Sequence, residues 1–333
     1  MNLVTGGAGH LGNVLVRELL ARGERVRVLV LPGEDTRSLE GVDVERVDGD
    51  ILDRESLARA MEGVDVVFHL AALVSITEEK SYLLQEVNVE GTRNVIEMIQ
   101  KMGVPKLIYT SSIHALERPP MGVSITEQLA FDPDNPAGPY DRTKAQASLL
   151  VQEATKRGLD ARIVCPTGVV GPFDFRRSEM GELILSWMQK RVNVLVKGGF
   201  NFVDVRDVAQ GEILARDNGK AGETYILGGE RIELTALHKL VQKVLGRKTP
   251  PITFPLPIAM LITPIAELYY KITKTRPRFT RYSLETVDSN SDISSAKAET
   301  ELGYHPRNLT QSMADTVRWW WDNLNQTQRS LRL

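Results

Sequence analysis

Thr5-Gly6-Gly7-Ala8-Gly9-His10-Leu11-Gly12 stands between the apolar run Asn2-Leu3-Val4 and the helically spaced Val14, Leu15, Leu19 and Leu20, which stop at Gly23. Glycines between a strand and a helix let the backbone turn tightly and approach a pyrophosphate, whose charge the helix N-terminus then favours. Such spacing alone also occurs in plain tight turns. Here a strand before it, a helix after it and a second strand at Arg25–Leu31 supply the context that gives it meaning. Gly6, Gly9, His10, Leu11 and Gly12 are therefore the expected cradle of a dinucleotide.

The end of the second strand bears on the choice of cofactor. A carboxylate there binds the ribose hydroxyls of NAD, whereas an arginine accommodates the extra phosphate of NADP. This strand ends Val30-Leu31-Pro32, with neither. Leu31 is placed at the cofactor by position, and Arg37 lies where a loop can turn it back toward a phosphate or leave it solvated. The missing acid leans toward NADP(H), with NAD(H) as the alternative.

Further out, Val42–Val47 reads as a third strand followed by Asp50-Ile51 at the carboxyl edge, where ligands of open sheets bind. Asp50 either reaches an adenine amine or caps the helix expected near Asp53. Val64–Leu70 is a nearly unbroken apolar run, as a buried parallel strand requires. His69-Leu70-Ala71-Ala72 then offers small side chains against which a flat cofactor can lie. A helix carrying Val87, Asn88, Val95, Ile96 and Ile99 follows, and Lys106–Thr110 is the strand that delivers Ser111 and Ser112. The alternation predicts an α/β fold: a doubly wound, Rossmann-type parallel sheet with a smaller mixed C-terminal lobe.

Residues 113–139, with Pro119-Pro120, Asp132-Pro133 and Asn135-Pro136, read as a loop over the active site. A helix then runs from Pro139 to a stop at Gly158, burying Ala147, Leu149, Leu150 and Ala154, and Ala161–Cys165 is the sixth strand. Tyr140 and Lys144 lie four apart on one face of that helix. An ammonium beside a phenol favours the phenolate, so a group that normally titrates near about 10 can exchange a proton at neutral pH. A hydroxyl at a strand end can hold the oxygen that the tyrosine protonates. Taken alone, Tyr-x-x-x-Lys is more often a surface pair; the surrounding motifs give it weight.

With 333 residues the chain permits two domains, and the expected division is a dinucleotide-binding core at 1–165 and a substrate lobe at 166–333 interleaved with the core's last elements. Lys plus Arg number 41 against 43 Asp plus Glu, a near balance that gives no support to a nucleic-acid partner. The one cysteine, Cys165, precludes an internal disulfide and suits a reducing compartment. Histidines at 10, 69, 114, 238 and 305 lack metal-ligand spacing, so they are assigned to packing or surface and no metal is expected. A strand starting at residue 2 leaves no room for a signal peptide, and a cytoplasmic location is expected.

These motifs, together with Pro166-Thr167-Gly168-Val169-Val170-Gly171-Pro172 and Phe202-Val203-Asp204-Val205-Arg206-Asp207-Val208-Ala209, resemble the extended short-chain dehydrogenase/reductase family over essentially the whole chain. The resemblance implies that Tyr140 is the acid/base, that Lys144 lowers its pKa and holds the ribose, and that Ser112 hydrogen-bonds the substrate oxygen. It implies too that Asn88 belongs to a backbone and water network relaying protons to Lys144. Pro166 and Val169 join Asp50, Ile51, Leu70, Ala71 and Ala72 among the cofactor contacts; Ser75, Gly171 and Phe173 join Ser112 on the substrate side.

Three departures narrow the choice within that family. Where sugar-nucleotide dehydratases usually carry an acidic pair, this chain has Ile113-His114-Ala115-Leu116. The epimerases' Phe-Asn is replaced by Cys165-Pro166, and their arginine before the second signature strand by Gly198-Gly199-Phe200-Asn201. The pattern is more similar to the branch holding 3β-hydroxysteroid dehydrogenases, dihydroflavonol reductases and hopanoid-associated epimerase-like proteins. That implies an NADP(H)- or NAD(H)-dependent oxidoreductase interconverting a secondary alcohol and ketone on a largely apolar, steroid-like or flavonoid-like ring. A nucleotide-sugar epimerase is the alternative, favoured if Arg176, Arg177 and Lys197 converge on a diphosphate. A non-catalytic cofactor sensor is another, although it has no chemical need for Ser112, Tyr140 and Lys144 together.

In the second half, Ser178–Gln189 and Leu234–Leu245 read as helices, Asn201–Val205 and Glu223–Leu227 as strands, and Asp207 as the N-cap of a helix through Ala215. Thr249–Thr273 is apolar but broken by prolines, short of the roughly 20 uninterrupted residues that span a bilayer. It is expected either to pack on the core or to line an apolar substrate mouth and touch a membrane peripherally. Helices at Ser294–Leu302 and Leu309–Leu324 follow. Trp319, Trp320 and Trp321 cannot all face one side of the last, so at least one ring meets another lobe or a second subunit, and a homodimer is allowed.

Overall fold

The computed structural model describes residues 1–75, 81–190, 192–273 and 280–324, with the side chains of 265–273 outside that description. Its centre is a seven-stranded, all-parallel sheet in the order β10-β6-β5-β4-β1-β2-β3. The strands are β1 (Asn2–Thr5), β2 (Val26–Val30), β3 (Glu45–Asp48), β4 (Val66–His69), β5 (Lys106–Thr110), β6 (Ala161–Pro166) and β10 (Thr224–Leu227). Strands buried on both faces read as near-continuous apolar runs; β1, β6 and β10 are buried at every residue, and Leu3-Val4, Ile163-Val164-Cys165 and Tyr225-Ile226-Leu227 supply their apolar part. One face is covered by α1 (His10–Ala21) and α7 (Val205–Asn218), the other by α2 (Arg54–Met61), α4 (Gly91–Met102) and α5 (Pro139–Lys156). Side chains such as Leu15, Leu19, Val208 and Ile213 are wholly buried between helix and sheet, each contributing roughly 1.5–3 kcal/mol relative to exposure. Strand order reverses between β1 and β4, so the loops after these two strands open the crevice in which a ligand binds in such a sheet.

The remaining elements form two smaller sheets and the helices around them. β7 (Gly168–Val170), β9 (Gly199–Asp204) and β11 (Glu230–Glu233) form a mixed sheet in the order β11-β9-β7, while β8 (Val194–Val196) pairs with β12 (Ile252–Phe254). Around them lie α6 (Glu179–Gln189), α8 (Leu234–Val244), α9 (Leu256–Thr273, with Pro264 inside it), α10 (Arg281–Asp288), α11 (Ala296–Leu302) and α12 (Leu309–Asn323). Among the described residues no helix is long and apolar enough to cross a membrane. Residues 325–333 of the expected second lobe lie outside the described residues.

Several local expectations are corrected. The cap of α7 is Asp204, which ends β9 and accepts from the Arg206 amide; Asp207 sits inside the first turn and binds the Arg307 amide and guanidinium instead. Asp53, not Asp50, caps α2, accepting from the amides of Glu55 and Ser56. The third strand begins at Glu45 rather than Val42, because its partner β2 pairs only from Arg27. Leu149 is 37% exposed, on the outer face of α5. The single helix expected around Val87–Ile99 is instead a short α3 (Ser81–Leu84), a π-helical turn at Gln85–Glu90 and then α4. Such turns are rare and gather at functional sites; this one carries Asn88. On α9, Ile258, Leu261 and Ile262 face outward, against packing on the core, while its side chains after Pro264 lie outside the described residues.

Candidate active site

Two glycines make the cradle after β1 close. Gly6 has φ +71°, and a Cβ there would come within 2.7 Å of the Ala71 amide nitrogen; one on Gly12 would come within 2.2 Å of the Gly6 carbonyl oxygen. No side chain fits either place, so the loop passes flush against the segment after β4 and leaves the mouth of the crevice to backbone and to Ala71 and Ala72. This is a cradle that fits a dinucleotide's pyrophosphate at the start of α1. The β4 segment is pinned from within: the Thr5 hydroxyl accepts from the Ala71 amide and meets His69 Nδ1 at 2.8 Å, and His69 Nε2 lies 3.0 Å from the Thr92 hydroxyl. Burial pushes the His69 imidazole down to about 3, so it stays neutral. Leu70 continues the ladder, its amide donating to the Thr5 carbonyl.

Other residues of the expected cofactor set are held by neighbours within the protein. His10 Nε2 is 2.9 Å from the Pro172 carbonyl, and Asn13 donates to the Phe173 carbonyl, tying the start of α1 to the loop after β7. Leu11 lies in the first turn of α1 and Leu31 is exposed just past β2, its amide donating to Glu34. Arg37 does not turn back unaccompanied: it donates to both oxygens of Asp35. Asp50 accepts from the Leu52 amide, and Ile51 is buried against Gly91. Pro166 ends β6 and Val169 lies in β7.

Ser112, Tyr140 and Lys144 converge at the carboxyl ends of β5 and β6. Ser112, directly after β5, accepts from the His114 amide and caps a short 3-10 turn at Ile113–Ala115. Burial pushes the Tyr140 phenol up to about 12, and a hydrogen bond with the Ser112 hydroxyl opposes that rise. Lys144 is buried; its ammonium donates to the Thr110 carbonyl at 2.6 Å and rests 4.6 Å from the centre of the Tyr109 ring. Burial pushes the ammonium's pKa down. Asn88, one turn before α4, accepts from the Leu73 amide, donates back to the Leu73 carbonyl and reaches the Thr143 hydroxyl at 3.2 Å. It therefore locks the β4 loop to α5 beside Lys144.

The residues expected on the substrate side are dispersed. Ser75 is half-buried at the end of the described β4 loop. Gly171 has φ +147° and is pressed on Val205, while Phe173 holds a left-handed φ of 67°. Its ring lies under the Arg17 guanidinium at 5.1 Å and near Trp319, pointing to α1 and α12. Left-handed bulky residues are uncommon. Arg176, Arg177 and Lys197 do not converge: Arg176 donates to Glu34, Arg177 to Glu182, and Lys197 is exposed at the end of β8.

One group beside Tyr140 went unread in the sequence. Asp141, fully buried, accepts from Arg118 at 3.0 Å and lies 3.6 Å from His114 Nδ1; the His114 ring stacks on Phe200 and faces Tyr282 of α10. The signal was proximity in sequence, since His114 lies two residues past Ser112 and Asp141 directly follows Tyr140.

Residues 2–228 match the NAD dependent epimerase/dehydratase family. The chain belongs to that family. It is an NAD(P)-dependent oxidoreductase of the extended short-chain type, as its motifs imply. Sterol demethylase protein B of Methylococcus capsulatus is 38% identical over 95% of this chain and 97% of that protein. A putative dihydroflavonol 4-reductase of Synechocystis sp. is 32% identical over 95% and 93%. Among solved structures, gox2253 superposes with a TM-score of 0.85 at 34% identity, covering 97% of this chain and 98% of the other.

Proposed function

We propose that this enzyme interconverts a secondary alcohol and the matching ketone on a largely apolar ring substrate, steroid-like or flavonoid-like. The observation that carries the reading is the convergence of Ser112, Tyr140 and Lys144 beside the glycine cradle. Gly6, Gly9 and Gly12, the Leu70–Ala72 backbone and Lys144 would hold the nicotinamide dinucleotide, which when bound supplies or accepts the hydride. Ser112 orients the substrate oxygen by a hydrogen bond. Tyr140 donates a proton to that oxygen in reduction and takes it back in oxidation. Lys144, positioned by Thr110, lowers the cost of the phenolate, and Asn88 fixes the α5 turn that carries it. Replacing Tyr140 by Phe should leave cofactor affinity unchanged and lower kcat by about 10²–10⁴-fold; full turnover of a confirmed substrate by that variant would end the assignment.

The apolar substrate is favoured by the scattered engagement of Arg176, Arg177 and Lys197, which leaves no assembled diphosphate site, and by the sterol and dihydroflavonol names of similar proteins. Net isomerisation of a sugar nucleotide with retained cofactor would make the epimerase reading the better one. Binding of cofactor without turnover on a broad alcohol and ketone panel would favour a sensor. NADP(H) is our choice of cofactor over NAD(H), since no carboxylate ends β2; Asp35, paired with Arg37, is the competing group. Arg37→Ala should then weaken NADPH by about tenfold more than NADH, and equal losses would oppose the choice. We further take the enzyme to be cytoplasmic and homodimeric, with α9 touching substrate or a membrane surface. Sizing in solution and vesicle co-sedimentation test these points.

A further inference from the structure

Glu212 is a carboxyl that the chemistry above does not use. It lies on the sheet-facing side of α7 and is wholly buried, which for an acidic side chain is rare unless it is paired. Its Oε1 accepts from the Thr110 hydroxyl at 2.6 Å, while its Oε2 has no hydrogen-bond partner. The same Thr110, through its carbonyl, holds the Lys144 ammonium at 2.6 Å. One residue at the end of β5 thus sits between a buried acid on one side of the sheet and the buried lysine on the other.

The neighbours of Lys144 show why this acid matters. Facing it are His69 from β4, Tyr109 from β5, Cys165 from β6 and Glu212 from α7, while Tyr140 lies one turn earlier on its own helix. His69 is neutral, with its imidazole pushed down to about 3 by burial. Burial pushes the Cys165 thiol and the Tyr140 phenol each up to about 12, and raises the Tyr109 phenol further. None of these four carries negative charge near neutrality. Further along α7, Arg216 is engaged by Glu24 and Asp217, and Asp207 by Arg307. Among the groups facing Lys144, Glu212 is the acid whose ionisation lies nearest neutrality, its carboxyl pushed up to about 8 by burial. Burial drives both the carboxyl and the ammonium toward their neutral forms, and attraction between them opposes it on each side.

We propose that Glu212 is a positioning residue for Lys144: its buried carboxyl anchors Thr110, whose carbonyl holds the Lys144 ammonium, and once ionised it supplies a countercharge that favours the protonated lysine. The role rests on the Tyr140–Lys144 chemistry proposed above. Once the carboxylate is removed, the ammonium gives up its proton at lower pH, and the phenolate loses its support over the same range.

The test is Glu212→Gln, which keeps size and hydrogen-bonding capacity and removes the charge. With lysine labelled at 13Cε and the Lys144 signal assigned from Lys144→Arg, its titration midpoint should fall by about one pH unit or more. The alkaline fall of kcat should move down by the same interval, with KM unchanged. Glu212→Asp, which retains the charge, should restore most of the shift. Should Glu212→Gln fail to fold, Thr110→Val takes its place: it strips the carboxyl of its donor, disfavours the carboxylate and should shift Lys144 in the same direction. An unmoved Lys144 midpoint in a folded variant, even one of lower Tm, overturns the proposal, since a merely structural acid alters stability and not that titration. The NMR readout needs no turnover, so active Tyr140→Phe would defeat the function proposed above and leave Glu212 to be judged separately.

Discussion

The two surfaces we propose as the cofactor and substrate walls are made on different terms. On the cofactor wall the surface is backbone: Gly6 and Gly12 have no room for a Cβ, Ala71 and Ala72 add little, and the buried polar side chains Thr5, His69, Asn88 and Thr92 are bonded to one another or to main chain. On the proposed substrate side, α9 exposes Ile258, Ile262 and an 80% exposed Leu261, and the Tyr282 ring of α10 lies near that of His114. In that proposal the first wall recognises a constant molecule through fixed main-chain geometry. The second has side chains that can change without disturbing the sheet. Substitutions should therefore separate the two by what they damage: fold and cofactor on one side, substrate on the other.

The sharpest contrast comes from Gly12→Val. Its side chain would begin 2.2 Å from a backbone oxygen, which neither α1 nor the loop can yield without moving. A loss of about 3 kcal/mol or more is expected, with cofactor affinity abolished, as measured by urea unfolding and fluorescence titration. A folded variant that binds cofactor normally would break the distinction at its strongest point.

A smaller effect is set by His69. Its folded pKa, about 3, lies below the ordinary value of 6.5, so between these two the unfolded chain binds the extra proton. Stability is then fully present above about pH 6.5 and is lost as pH falls toward 3, at up to about 1.4 kcal/mol per pH unit. Urea midpoints of the parent and His69→Gln between pH 7 and 5 should converge as pH drops; parallel curves would show that burial does not hold this imidazole neutral.

The smallest change in stability belongs to the other wall. Leu261→Asp should alter unfolding free energy by no more than about 0.5 kcal/mol, while raising KM for an apolar ketone or weakening co-sedimentation with vesicles. A large loss of stability would mean that α9 is packed after all, and the contrast between the walls would fail.

That contrast also explains what could be read from the sequence. The cofactor wall was legible because its requirements are local: a glycine where no Cβ fits, an apolar run where a strand is buried on both faces, a tyrosine and lysine one turn apart. Asp204 and Asp207 show the limit, since two aspartates three residues apart suit a cap equally well and only the partner Arg307, a hundred residues on, assigns them. The π turn around Asn88 left no mark in the apolar spacing. His114, Asp141 and Glu212 were missed because each takes its meaning from a tertiary neighbour. The solvent side of α9 was undetermined for another reason: an apolar run signals burial, whether the cover is protein, ligand or lipid.

The packing of α1 on α7 has a consequence for synthesis. Val14, Leu15 and Leu19 of α1 share their apolar cluster with Val205, Val208 and Ile213 of α7, which the ribosome reaches roughly 180 residues later. At about 5–20 residues per second, that is on the order of ten seconds or more. The last strand of the central sheet, β10, comes later still and pairs with β6. Throughout that interval the nascent chain displays a greasy helix and an open sheet edge, both of which invite aggregation. A ribosome-bound chain halted near residue 165 should thus be a chaperone client, released only once α7 and β10 have emerged to close the fold.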